Sequence, residues 1–195
     1  MYEELTALNH SKATEYLIQF WLKLPREAGR VCPKRADFSS AQINGALPEV
    51  FLSEWQDDKL VVVQAGTVLD RLIGLDMTGR NIFDILPEPL RIPETLYYRQ
   101  LRDQPCAGMI SRSTIDFRER PFVYRTIQLP LMDPFGKVRY FVGTGYEVPR
   151  DELIAKLGAE AVDHTNLVER EFFDIGAGVP DSKSDTAGDA PSQKL

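Results

Sequence analysis

Between Gly108 and Val148 the chain carries three consecutive runs that alternate apolar and polar residues, "GMISRSTIDF", "FVYRTIQLPLM" and "VRYFVGTGYEV", separated only by "RERP" and "DPFG". Alternation with a period of two marks a half-buried strand. The second run places Val123, Ile127, Leu129 and Leu131 mostly on one face, and the third groups Val138, Tyr140, Val142, Tyr146 and Val148. "DPFG" has its Pro and Gly where a type I turn wants them. Upstream, "EVFLSEW" and "KLVVVQAG" around the polar link "QDDK" read as a hairpin. Short helical segments fill the interval. "TVLDRLIG" offers Thr67 as N-cap, Asp70 in a capping-box-like position and Gly74 at the left-handed C-terminal position. "NIFDIL" puts Ile82, Ile85 and Leu86 on one face and stops at Pro87, and "PETLYYRQLRDQ" starts at Pro93, a residue favoured in the first helical turn. The order strand, strand, short helices and three strands predicts an α+β fold. Its expected form is a five-stranded antiparallel sheet with short helices on one face, not a βαβ array.

The flanks add one strong element. In "TEYLIQFWLKL" Leu17, Phe20, Trp21 and Leu24 recur at helical spacing, Ile18 and Leu22 widen the apolar face, and Pro25 ends the run. Two readings stand side by side: a flanking helix lying across its own core, or a dimer helix whose six residues also pack against a second protomer. "SSAQINGAL" makes a short helix closed by Pro48. Beyond Pro149, "DELIAKL" and "HTNLVEREFF" read as a helical extension. There Phe172 and Phe173 sit among acids, as a helix over the sheet or as a docking peptide. The organisation expected is a flexible N-terminus over 1–10, helix and connector over 11–48, the core over 49–149, a helical extension over 150–175 and a disordered tail over 176–195.

A net charge of -6 argues against nucleic acid, which needs clustered Lys and Arg. No apolar run approaches the roughly 20 residues that span a bilayer, and the polar, acidic start does not read as a signal peptide. Cys32 and Cys106 form neither a disulfide framework nor a metal motif. A cytoplasmic protein without a membrane span is expected.

The element order resembles that of a PAS domain over about Tyr16 to Val148. "VFLSEWQDDKLVVVQAGTVLDRLIGLDMTGRNIFDIL" is similar to the opening half of that family, with a hairpin, a capped helix, a Gly and an x-x-G-R-x-x-x-D-x-L turn. The lead-in "PKRADFSSAQINGALPEVFL" resembles a stand-alone PAS subfamily of alphaproteobacteria with a P-x-R-x-D connector before LP-x-VFL, and "AGT" at Ala65 to Thr67 fits it too. The resemblance implies a small sheet with helices on one face enclosing a pocket that holds a ligand or nothing, and a role in sensing, dimerising or binding partner proteins.

Light-sensing PAS domains of the LOV type carry a Gly-Arg-Asn-Cys-Arg-Phe run whose thiol attacks flavin. Here Gly79, Arg80 and Asn81 are followed by Ile82, so adduct chemistry has no sulfur at that position, and non-covalent flavin has no positive signal. Haem-binding relatives use a histidine on the helix before the third strand, and "PETLYYRQLRDQ" has none. His10 and His164 lie outside the matched core and are too few for a zinc site. Cys106 as a chromophore anchor is outweighed by its reading as a small buried hydrophobe. "REAGR" with "DFS" is similar to a cyclic-di-GMP (PilZ) motif but is crowded and lacks the following glycine. There is no G-x-S-x-G elbow and no phosphate loop, and Asp70 and Asp84 are explained by capping, so no enzyme is expected. The pocket candidates are Val63, Leu72, Ile82, Leu86, Tyr97, Leu101, Ile127 and Val142. No cofactor is assigned, although a small apolar or aromatic ligand is compatible with that set. The expected function is a signalling or protein-interaction module with no effector domain in these residues, acting as a homodimer on a separate signalling partner. The alternative is a sensor that holds a metabolite, flavin or haem, and a small enzyme ranks last.

Overall fold

The computed structural model describes residues 3–7, 11–43, 45–115, 120–157 and 168–181. His10, His164, the last fourteen positions of the expected tail and the start of "HTNLVEREFF" lie outside them. Two helices open the chain, α1 (Glu3–Ala7) and α2 (Lys12–Lys23), followed by short 3₁₀ turns at Arg35–Asp37, Ser40–Ile43 and Leu47–Glu49. The hairpin follows as β1 (Val50–Gln56) and β2 (Lys59–Ala65), then α3 (Thr67–Ile73), a 3₁₀ turn at Ile82–Ile85 and α4 (Glu88–Asp103). Strands β3 (Ala107–Ile115), β4 (Pro121–Met132) and β5 (Val138–Glu147) come next, then helix α5 (Arg150–Leu157) and a last strand, β6 (Val168–Phe173).

All pairings are antiparallel, in the order β2-β1-β5-β4-β3-β6. The α+β class and the antiparallel sheet match expectation, but the sheet has six strands where five were expected. The sixth comes from "VEREFF", expected as a helix over the sheet or as a docking peptide. Pairing with the open edge of β3, from Ala107↔Phe173 to Arg112↔Val168, satisfies backbone groups that an exposed edge would leave to solvent. The expected helical extension is thus helical at α5 and extended at β6. Leu5 of α1 is 1% exposed, so the described part of the N-terminus is a packed helical turn rather than a flexible one.

Directly opposed residues in an antiparallel pair share a face, so the registers sort the side chains. Leu52, Val142 and Leu129 form one row, and Val50, Thr144 and Ile127 another, on the face that α2 covers. Ser11 caps α2 by accepting from Thr14 N–H (3.2 Å), and the Thr14 hydroxyl meets the Thr144 hydroxyl at 2.6 Å. Trp21 donates its indole N–H to the Pro130 carbonyl at 3.1 Å, and the Arg26 guanidinium lies 4.5 Å over its ring. Leu17, Ile18, Trp21 and Leu24 are buried, while Phe20 and Leu22 are half-buried at the edge of the same core. Burying each of the four large side chains stabilises by roughly 1.5–3 kcal/mol. This apolar stripe is spent inside the domain.

The other face carries the row Phe51, Gly143, Gln128, Gly108 and Phe172 and is covered by α3, the Ile82–Ile85 turn and α4. Helix α4 begins five residues before Pro93, with Pro87 at its N-cap and Pro89 in its first turn. Pro93 is tolerated inside because it costs one bond near the helix start. Its buried residues Glu94, Tyr97, Tyr98 and Leu101 face the sheet. The β4–β5 turn closes as expected: Asp133 Oδ1 accepts from Phe135 and Lys137 N–H, and Gly136 has φ 78°. In α3 the N-cap is Gly66, with no side-chain cap, so Thr67 is the first helical residue.

Candidate functional site

The segment Asp76 to Leu86 builds one wall of a cavity, and its geometry follows from local chemistry. Gly74 ends α3 in the left-handed conformation (φ 75°), and Asp70 Oδ1, free of any capping box, accepts from Met77 N–H at 3.1 Å. Gly79 has φ 82°, a conformation that disfavours side chains with a Cβ. That turn lets the segment run along β2: Gly79 N–H donates to the Val62 carbonyl (2.8 Å) and Val62 N–H to the Arg80 carbonyl (2.9 Å). Asn81 caps the 3₁₀ turn and also holds the strand, because its Oδ1 accepts from Phe83 N–H (3.4 Å) and Leu60 N–H (3.0 Å). The Gly-Arg-Asn run is a structural joint.

Behind this joint, between the sheet and the short helices, lies a cavity of about 190 Å³. Phe51, Val62, Ala65, Leu69, Met77, Ile85 and Leu90 make most of its apolar lining, with Ile73 exposed at the mouth. Tyr98, Tyr124, Thr114, Thr126 and Arg112 supply polar groups. Tyr124 lies over Gly145, where a Cβ would stand 2.0 Å from the phenol oxygen, so the glycine makes room for the ring. Burial in this apolar setting pushes the Tyr98 and Tyr124 phenols well above the usual range, so both are neutral donors at physiological pH. Thr126 accepts from Gln128 Nε2 (2.7 Å). Gln128 Oε1 in turn accepts from the Tyr97 hydroxyl (3.3 Å), which also reaches the Glu171 carbonyl of β6 (3.2 Å). A continuous buried polar path thus joins the cavity wall to the last strand.

Beside the cavity, Glu94 of α4 is fully buried and pairs with two arginines, Arg112 of β3 and Arg170 of β6, the latter at 3.2 Å. Sequence reasoning missed this triad. Its members are 18 and 76 positions apart, and no local spacing signals it.

The structure divides the sequence-derived pocket set. Leu72, Ile82 and Leu86 line the cavity. Tyr97 and Leu101 are fully buried in the core between α4 and the sheet. Ile127 and Val142 are equally buried but share rows with Thr144 and Leu52, on the α2 face. Val63 is 38% exposed. Leu52 opposes Gln64 while Ser53 opposes Val62, so Val63 is the extra residue of a β-bulge and its neighbours Val62 and Ala65 point inward instead. Ile82, at the position of the LOV thiol, presents only an alkyl chain. Cys106 and Cys32 are buried, and burial pushes each thiol up to about 12, which makes both inert at neutral pH. Among the described residues no group of three or more His, Cys, Asp and Glu side chains converges on a metal position, and no helix is long and apolar enough to cross a membrane.

The cavity's size bounds its contents. A void of about 150 Å³ accepts benzene, so about 190 Å³ suits one ring with substituents.

No curated protein matches the chain in sequence. Among solved structures, a light-oxygen-voltage domain studied with a flavin analogue is 19% identical, with a TM-score of 0.47 over 63% of this chain and 93% of its own. The LOV protein of Rhodobacter sphaeroides is 16% identical, with a TM-score of 0.45 over 58% of this chain and 67% of its own. The VqmA dimer of Vibrio cholerae is 20% identical, with a TM-score of 0.43 over 62% of this chain and 57% of its own, so the match spans less than two thirds of that protein. A family model described as a PAS domain matches residues 9–145, most of the chain, including α2 and all the cavity-lining elements. The chain belongs to the PAS domain family.

Proposed function

We propose that this protein is a sensory module whose cavity binds a small organic ligand of about one ring. The observation that carries the reading is the cavity itself: mostly apolar walls, a few convergent polar groups and a mouth at Ile73, the usual makeup of a small-molecule site. A ligand held there shifts the populations of two conformations through the Thr126–Gln128–Tyr97 path that ends on β6. We further propose that it acts in the cytoplasm of a bacterium, in keeping with the P-x-R-x-D lead-in, through homodimerisation and a separate signalling partner. Helix α2 packs its stripe on its own sheet and leaves Phe20 and Leu22 half-buried at the edge, where a second protomer can also meet them. Ile92 on α4 and Phe135 at the β4–β5 tip are large apolar side chains left in solvent, at 73% and 84% exposed.

Native mass spectrometry of the protein purified from its source cells tests the ligand reading. One small organic molecule should be retained, and Leu72→Trp, which fills the cavity, should abolish retention. The bare polypeptide mass in both proteins overturns ligand sensing and leaves partner docking as the function.

A further inference from the structure

Among the described residues that line the cavity, Arg112 is the one with a charged side chain. Arg112 and Arg170 share the Glu94 carboxylate, so this cluster of three holds two positive charges against one negative. Donors are also in excess: the Nε–H of Arg170 is buried with no acceptor among the described residues, and the contact to Glu94 uses Arg112's NH2 nitrogen alone. A guanidinium carries five N–H donors in a planar fork matched to a carboxylate. Uncompensated buried charge is costly, and a second anion relieves that cost. The Tyr98 and Tyr124 hydroxyls, held protonated by burial, add neutral donors beside it.

We infer that the cavity takes a small anionic ligand, an aromatic or aliphatic carboxylic acid, whose carboxylate docks on the Arg112 guanidinium while its apolar body fills the space between Phe51, Leu69 and Leu86. The inference rests on the ligand-binding reading above and adds the ligand's charge. Arg112 and Tyr124 stand directly opposite each other on β3 and β4, and Tyr98 of α4 lies near both, while α3 and the Ile82–Ile85 turn contribute alkyl side chains to the lining. Such a site orients an amphiphilic acid head-inward on the arginine.

Three probes of similar size separate the two layers of the argument: toluene, benzamide and benzoate, titrated into the full chain by NMR and calorimetry. Toluene entering the cavity, and excluded by Leu72→Trp, supports the cavity as a ligand site, and failure of toluene to enter overturns that reading. Benzoate should bind at least about tenfold tighter than benzamide, a difference of about 1.4 kcal/mol. Equal affinities overturn the anionic-ligand inference and leave the cavity reading intact. Arg112→Met should erase the preference, and a preference that persists overturns the role of Arg112. If that variant fails to fold, Arg112→Lys keeps the charge opposite Glu94 but loses the fork. Its benzoate preference should fall at least about threefold, and an unchanged preference again overturns the assignment.

Discussion

Glu94→Gln is the perturbation that most directly probes how this domain holds its cavity and its last strand together. The substitution keeps side-chain volume and removes one charge at a site that is 1% exposed, leaving two arginine side chains, 14% and 16% exposed, without their counter-ion. Breaking a buried pair by removing one partner typically costs about 3–5 kcal/mol, because the remaining charge stays desolvated. Both arginines keep some water contact, and the amide retains one acceptor, so the low end applies, about 3 kcal/mol. With a urea m-value of about 2 kcal/mol/M for a domain of this size, the midpoint should fall by about 1.5 M. The loss should also be uneven. Arg170 is the ionic tie between β6 and α4, so amides of residues 168–173 should exchange faster than those of β1, β4 and β5. A midpoint shift worth less than about 1 kcal/mol with unchanged protection of β6 would refute the claim that the triad anchors the strand.

Other outcomes follow from particular contacts. Trp21→Phe keeps most of the buried ring but orphans the Pro130 carbonyl, and should cost about 1–2 kcal/mol in chemical denaturation. Gly145→Ala places a methyl 2.0 Å from the Tyr124 phenol oxygen, so the ring must swing into the cavity. It should cost about 1–3 kcal/mol and weaken toluene binding, measured by NMR. Cys32 and Cys106 should resist iodoacetamide at neutral pH until the protein unfolds, as intact-mass spectra would record. Their folded values lie above the unfolded thiol value of 9.0, so the stability they contribute is complete below about pH 9 and is lost as pH rises toward about 12. Urea midpoints followed by tryptophan fluorescence should therefore be flat from pH 7 to 8.5 and fall from there to pH 11, in step with the buried tyrosines, whose shifts have the same sign.

The features legible from sequence were those written into neighbouring residues. The three alternating runs, the turn at Asp133–Gly136 and the left-handed Gly74 each depend on backbone preferences spanning a few positions, and each lies where the sequence placed it. Which face a strand residue occupies was less accessible. One bulge at Val63 reverses parity, and the alternating rows of β4 and β5 are buried on both sides, so hydrophobicity alone could not assign Ile127 and Val142 to the α2 face rather than the cavity.

Tertiary structure alone decided the fate of "VEREFF". Its local preference is balanced between helix and strand, and the open edge of β3 settled it by supplying backbone partners. It likewise settled whether α2 packed on its own sheet, through Thr144 and Pro130 more than a hundred positions away. The Arg112–Glu94–Arg170 cluster is the clearest case, since three separate elements must converge before a charged wall exists. Sequence specifies what each segment prefers. Long-range pairing specifies which surfaces meet, and the cavity with its one charged side chain is made of such meetings.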